Sequence, residues 1–105
     1  MQPFGEFIRD QRISRGLLLR EVAAKLQIDP SLLSRIERGV KRATRPQVIQ
    51  LASILKASET EFLVHYLSDK VVYELKDEKL AVKAMQAAEK KIAYLRKKTQ
   101  RGNEK

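Results

Sequence analysis

The sequence predicts an all-α protein, with five short helices in residues 1–67, a helical extension over 68–98 and a disordered tail over 99–105. Three observations carry that expectation. Apolar residues recur at spacings of three and four nearly throughout, the alternation expected of a strand is scarce, and residues that start or stop helices stand between the periodic runs.

Phe4, Phe7, Ile8 and Ile13 mark the first helix, which Gly16 stops. Val22, Ala23 and Leu26 mark a short second one. Asp29-Pro30 then reads as a helix start, because Asp can accept from unpaired N–H groups and Pro lacks only a donor that the first turn would not use. Leu32, Leu33 and Ile36 give the third helix its inner face, and Gly39 stands where a C-terminal cap is expected. After the loop Val40–Ala43, Thr44 and Gln47 have the spacing of a capping box, which opens a fourth helix through Val48, Leu51, Ala52 and Leu55. Ser58, with Glu59 and Glu61 at the positive end of the helix dipole, starts a fifth through Phe62, Leu63, Tyr66 and Leu67. From Ser68 onward Lys and Ala rise. Leu80, Ala84, Ala87, Ala88, Ile92 and Leu95 keep a narrow apolar stripe that needs one partner surface, its own domain or a second chain. Val71, Val72 and Leu75 fit either the end of the fifth helix or a short separate element.

Composition narrows the function. The 105 residues hold 22 Lys and Arg against 13 Asp and Glu, a net charge of +9, and 43% are hydrophobic. That core is modest and of a size often supported by oligomerisation. Residues 1–66 carry +4 and residues 67–105 carry +5, so both parts favour a polyanionic partner, nucleic acid or an anionic membrane surface. The extension is poor in the large apolar and aromatic residues a membrane-surface helix needs. With no cysteine, disulfides, thiolate metal sites and thiol nucleophiles are excluded. His65 is the only histidine, which rules out a multi-histidine metal site, and it is expected on a partly exposed helix face. Ser31 and Ser34 have no base nearby in the sequence, the carboxylates are scattered or helix-capping, and no glycine-rich phosphate loop is present. No enzyme, metal or cofactor is expected. The N-terminal MQPFGEFIRDQR carries charge where a secretion signal needs an apolar run, and no stretch approaches a membrane span, so a cytoplasmic protein is expected.

The segment LLLREVAAKLQIDPSLLSRIERG, residues 17–39, holds the sharpest pattern. Ala23 is small where a crossing helix must come close, Ile28 fills the turn, and Leu33 and Ile36 pack the third helix onto the second. Two short helices crossing steeply at such a turn expose the start of the second member, which can enter a major groove. This segment resembles the phage-repressor-like, Xre-type helix-turn-helix family, with PSLLSRIERG its most specific piece, and the likeness covers about residues 4–63. The resemblance implies a five-helix repressor-like domain and a sequence-specific transcriptional regulator, a homodimer on a palindromic double-stranded operator. It also implies that Asp29, Pro30, Ser31, Ser34, Arg35 and Arg38 lie on or near the DNA face. Arg35 is the expected base reader, since Arg can grip guanine with two bonds. By the same resemblance Arg12 and Glu37 form a buried structural ion pair. Three features depart from the family pattern: Leu18-Leu19 where Ser or Thr and then Gln are usual, Gln27 at a turn often held by glycine, and Pro30 where many members carry a base-contacting Gln.

Lys41, Arg42 and Arg45 follow the third helix closely. They are expected to contact phosphates, with a solvated loop as the alternative. For Lys90, Lys91, Arg96, Lys97 and Lys98 a merely solvated helix is the expectation. The functional expectation is a repressor or autoregulatory controller, as found beside restriction-modification genes. The alternative is an antitoxin-type or protein-interaction module that uses the same fold and the last helix to bind a partner protein.

Overall fold

The computed structural model describes residues 1–103; positions 104 and 105 of the expected tail lie outside the described residues. Among these residues there are six helices and no strand: α1 Phe4–Ser14, α2 Leu19–Leu26, α3 Pro30–Glu37, α4 Arg45–Ile54, α5 Glu59–Leu75 and α6 Ala81–Asn103. The all-α expectation holds. Two compact units divide the chain, Met1–Val71 and Val72–Lys105.

In the first unit α1 packs on α3, and α2 on both α3 and α4. Val22, Ala23, Leu33, Val48, Leu51, Ala52, Leu55 and Phe62 are essentially without solvent contact. Ala23 is the small residue at the α2–α3 crossing. An aromatic group joins α1 to α5: Phe62 meets the rings of Phe4 and Phe7 edge-on at 6.2 and 5.2 Å, and Phe4 meets Tyr66 at 6.0 Å. Such edge-to-face pairs stabilise beyond the area they bury. His65 corrects an expectation. It is buried rather than partly exposed, its ring stacked on Phe7 at 4.1 Å, because the α5 stripe that turns Phe62 inward carries the residue three positions on with it.

Four helices of this unit end in the same way. Gly16, Gln27, Gly39 and Lys56 follow α1 to α4 with φ of 67°, 58°, 76° and 52°. In each case the next residue donates its N–H five positions back: Leu17 to Arg12, Ile28 to Ala23, Val40 to Arg35 and Ala57 to Ala52, at 2.8–3.2 Å. This left-handed closure satisfies the last carbonyls and turns the chain sharply. It lets short helices fold back on one another through connections of three to seven residues.

The expected boundary at Leu67 falls inside α5, which runs unbroken to Leu75. Asp69, beyond that boundary, accepts a hydrogen bond from the Phe4 N–H at 2.9 Å and so caps α1, whose own N-cap Pro3 offers no side-chain acceptor. In the second unit α6 extends through Asn103, past the expected start of the tail at residue 99. Leu80 lies in the turn ahead of α6 and not on its stripe. No helix among the described residues is long and apolar enough to cross a membrane.

Candidate nucleic-acid interface

The exposed surface of α3 is set by what its other face buries. Leu33, Ile36 and Glu37 are buried and Leu32 is half-buried. That leaves Pro30, Ser31, Arg35 and Arg38 exposed on the opposite side, with Ser34 half-buried between them. Ser31, Ser34, Arg35 and Arg38 are three to four residues apart, so they share one face of the helix.

Asp29 and Ser31 make the helix start. The Asp29 carboxylate accepts from the Ser31 N–H at 2.9 Å and from the Ser31 hydroxyl at 2.8 Å. These two bonds, and to a lesser degree the charge of Arg35, hold its pKa below the usual carboxylate value. Pro30 takes the first helical position, where its missing N–H costs nothing. Asp29 and Ser31 therefore serve the fold locally while lying on the exposed end of α3.

Arg12 and Glu37 come together behind this helix. Arg12 donates through Nε to Glu37 Oε2 at 2.8 Å and through Nη2 to Oε1 at 3.0 Å, while Nη1 donates to the Leu17 carbonyl at 2.9 Å. Side-chain exposure is only 13% for Arg12 and 5% for Glu37, so the pair is largely desolvated. The bond to Glu37 raises the Arg12 pKa further above its ordinary value. One guanidinium thus fixes the end of α3 and the α1–α2 turn to α1. With both oxygens of Glu37 engaged, its role is structural.

Gly5 lets α1 come close enough for that pair. A Cβ there would strike the Ile36 carbonyl oxygen and lie 2.7 Å from the Glu37 carbonyl oxygen. The end of α3 therefore rests directly on the α1 backbone, a constraint with no signal in the sequence pattern.

The basic segment is held at both ends. The Arg35 carbonyl accepts from the N–H groups of Val40 and Lys41, at 2.9 and 3.2 Å, and Ala43 is buried. Thr44 then opens α4 through a reciprocal box. Its hydroxyl accepts from the Gln47 N–H at 3.3 Å, and the Gln47 side chain accepts from the Thr44 N–H at 2.8 Å. Lys41 and Arg42 are exposed on the loop, and Arg45 is exposed as the first residue of α4.

At the start of α2, Leu18 supplies no acceptor. Glu21 provides half of a capping box, accepting from the Leu18 N–H at 3.0 Å. Gln27 occupies the left-handed position at the turn between α2 and α3.

Residues 3–63 match the model of the family described as Helix-turn-helix domain. Among solved structures, the chain is similar to the clp gene regulator ClgR of Corynebacterium glutamicum. In one structure the identity is 29%, with 63% of this chain and 86% of that chain covered and a TM-score of 0.55. In a second the identity is 26%, with 88% and 84% covered and a TM-score of 0.56. The complex of SinR protein with SinI protein shares the fold at 22% identity, 90% and 98% coverage and a TM-score of 0.51. None of the curated proteins compared with the chain matches it.

Proposed function

The chain belongs to the helix-turn-helix domain family, a DNA-binding class of transcriptional regulators, and from that premise we propose that it reads an operator through α3. The observation that carries this reading is the division of α3 into two faces. One is locked into the core by Leu33, Ile36 and the Arg12–Glu37 pair, and the other presents Arg35 and Arg38 to solvent. A rigidly held helix with outward arginines can enter a major groove and meet guanine edges. Asp29, Pro30, Ser31 and Ser34 line the entering end and its side. Lys41, Arg42 and Arg45 take neighbouring phosphates, which sets register without reading sequence.

The regulator acts as a homodimer on a palindromic operator in the cytoplasm, without cofactor, metal or catalytic step. Its sign is repression, since bound protein blocks polymerase, and an autoregulatory controller fits the same anatomy. The ClgR structures, named for a gene regulator, support a regulatory role. A second reading, an antitoxin-type or interaction module, draws on the exposed Met85, Ile92 and Leu95 of α6, which could cover a different protein.

Selection of bound sites from a random pool of duplex DNA tests the proposal. The expected result is a conserved motif with two inverted halves, centred about one helical turn apart or a multiple of it. Recovery of no motif would leave the interaction module as the better reading.

A further inference from the structure

The second unit carries a seam that fits a second copy of this chain, and its charge pattern fixes the direction in which that copy runs. Along α6, Ala81, Met85, Ala88, Ile92, Leu95 and Thr99 are separated alternately by four and three residues. This is the heptad spacing that keeps one face towards a partner helix. Met85, Ile92 and Leu95 are 41%, 52% and 58% exposed. Thr99 fits the seam because its hydroxyl already donates to the Leu95 carbonyl at 3.0 Å. A shallow groove on this face is lined by Ile92, Leu95, Arg96, Thr99 and Gln100, the first four of them at i, i+3, i+4 and i+7. Four residues at i, i+3, i+4 and i+7 are what a facing helix offers as the hole for an apolar knob.

The flanking charges distinguish the two possible directions. Residues 81–100 hold six Lys or Arg and one acidic residue, Glu89. Glu89 and Arg96 are one heptad apart, in the same row beside the seam. Neither has a charged residue three or four positions away on its own helix, so α6 supplies no neighbour for either charge. In a parallel pair that row faces the opposite flank, which sets Lys91 against Arg96 of the second copy. In an antiparallel pair the row faces itself. Glu89 then meets Arg96 of the second copy, Arg96 meets Glu89 in return, and Ile92 enters the groove beside Leu95. Lys91 and Lys98 repel across the other flank, but only this direction gives any attraction.

We propose that α6 pairs antiparallel with α6 of a second copy, through a short seam centred between Ile92 and Leu95 and flanked by two Glu89–Arg96 contacts. The inference rests on the homodimer reading and goes beyond it in assigning the surface and the direction.

Sedimentation equilibrium of the full chain tests both, with helicity checked by circular dichroism. Arg96→Glu should raise the dimer dissociation constant about fivefold to tenfold, as two attractive pairs become repulsive. Glu89→Arg should do the same, and the double exchange Glu89→Arg/Arg96→Glu should restore wild-type association. A parallel pair predicts the opposite sign for Arg96→Glu, because a carboxylate at position 96 would meet Lys91; tighter association would overturn the proposal. A dimer indifferent to all three variants would place its interface elsewhere and overturn the inference alone. A wild-type chain that stays monomeric would overturn the homodimer reading and the inference with it.

Discussion

Removing the Arg12 guanidinium would leave the Glu37 carboxylate buried without its two charge-assisted donors. Arg12→Met or Glu37→Met alone should each cost about 3–5 kcal/mol, because the remaining charge stays desolvated, whereas the double Met variant should recover much of that loss. Thermal denaturation of the three variants checks this, and small additive effects would contradict it. Gly5 makes a sharper demand, since a methyl group there meets backbone oxygens of α3 that cannot swing aside. Gly5→Ala should destabilise by about 1–3 kcal/mol, as overpacking of a tight crossing does. A urea midpoint equal to the wild type's would show that the α1–α3 contact is looser. The Arg12–Glu37 pairing was suggested by family resemblance and not by spacing, as the two lie 25 positions apart. Gly5 was invisible, because a glycine inside a helical run looks like any tolerated interruption until the crossing helix is known. Asp69 was equally hidden, since its partner Phe4 lies 65 positions away.

The helix ends show how far local chemistry reaches. Gly16 and Gly39 mark their closures plainly, Asp29-Pro30 and Thr44 with Gln47 mark two helix starts, and all four are legible as short-range signals. Lys56 is not, because a lysine has no preference for positive φ; burial of Leu55 and half-burial of Ala57 hold it there. The left-handed conformation costs about 1–2 kcal/mol for a residue with a Cβ, and glycine returns part of the gain by freeing the unfolded chain. Gln27→Gly and Lys56→Gly should therefore each raise stability by about 0.5–1 kcal/mol. A loss of stability in either would mean that its side chain makes contacts worth more than the strain. The α3 cap has a pH signature as well. A carboxyl whose folded pKa is lowered stabilises the fold fully above its unfolded value, and the contribution is lost as pH falls through the folded value. NMR titration of Asp29 should give a midpoint below the usual Asp value, with the Ser31 amide shift following it. A midpoint at the ordinary value would contradict the two Ser31 bonds. Sequence pattern does not fix the end of α5, because Val71, Val72 and Leu75 fit a helix end and a separate element equally well.

Over the whole molecule, a net charge of +9 spread across both units gives any nucleic-acid complex a strong salt dependence. Replacing Lys41, Arg42 and Arg45 together with Gln should weaken specific and random DNA alike. It should also flatten the slope of log affinity against log salt by about three units, if each residue neutralises one phosphate. An unchanged slope would remove this segment from the interface. The all-helical class and the outward face of α3 were legible from periodicity. The start of the apolar stripe of α6 was not, because alanines fit several stripes and Leu80 falls just outside the helix. Base reading by α3 is tested in the full chain with Arg35→Ala, assayed on the operator recovered by selection and on random duplex. Base readout predicts a loss of about 1–3 kcal/mol on the operator, a much smaller loss on random DNA and one relaxed base pair per half-site in a repeated selection. A recovered motif as sharp as the wild type's, with affinity unchanged or lowered equally for all sequences, would contradict it.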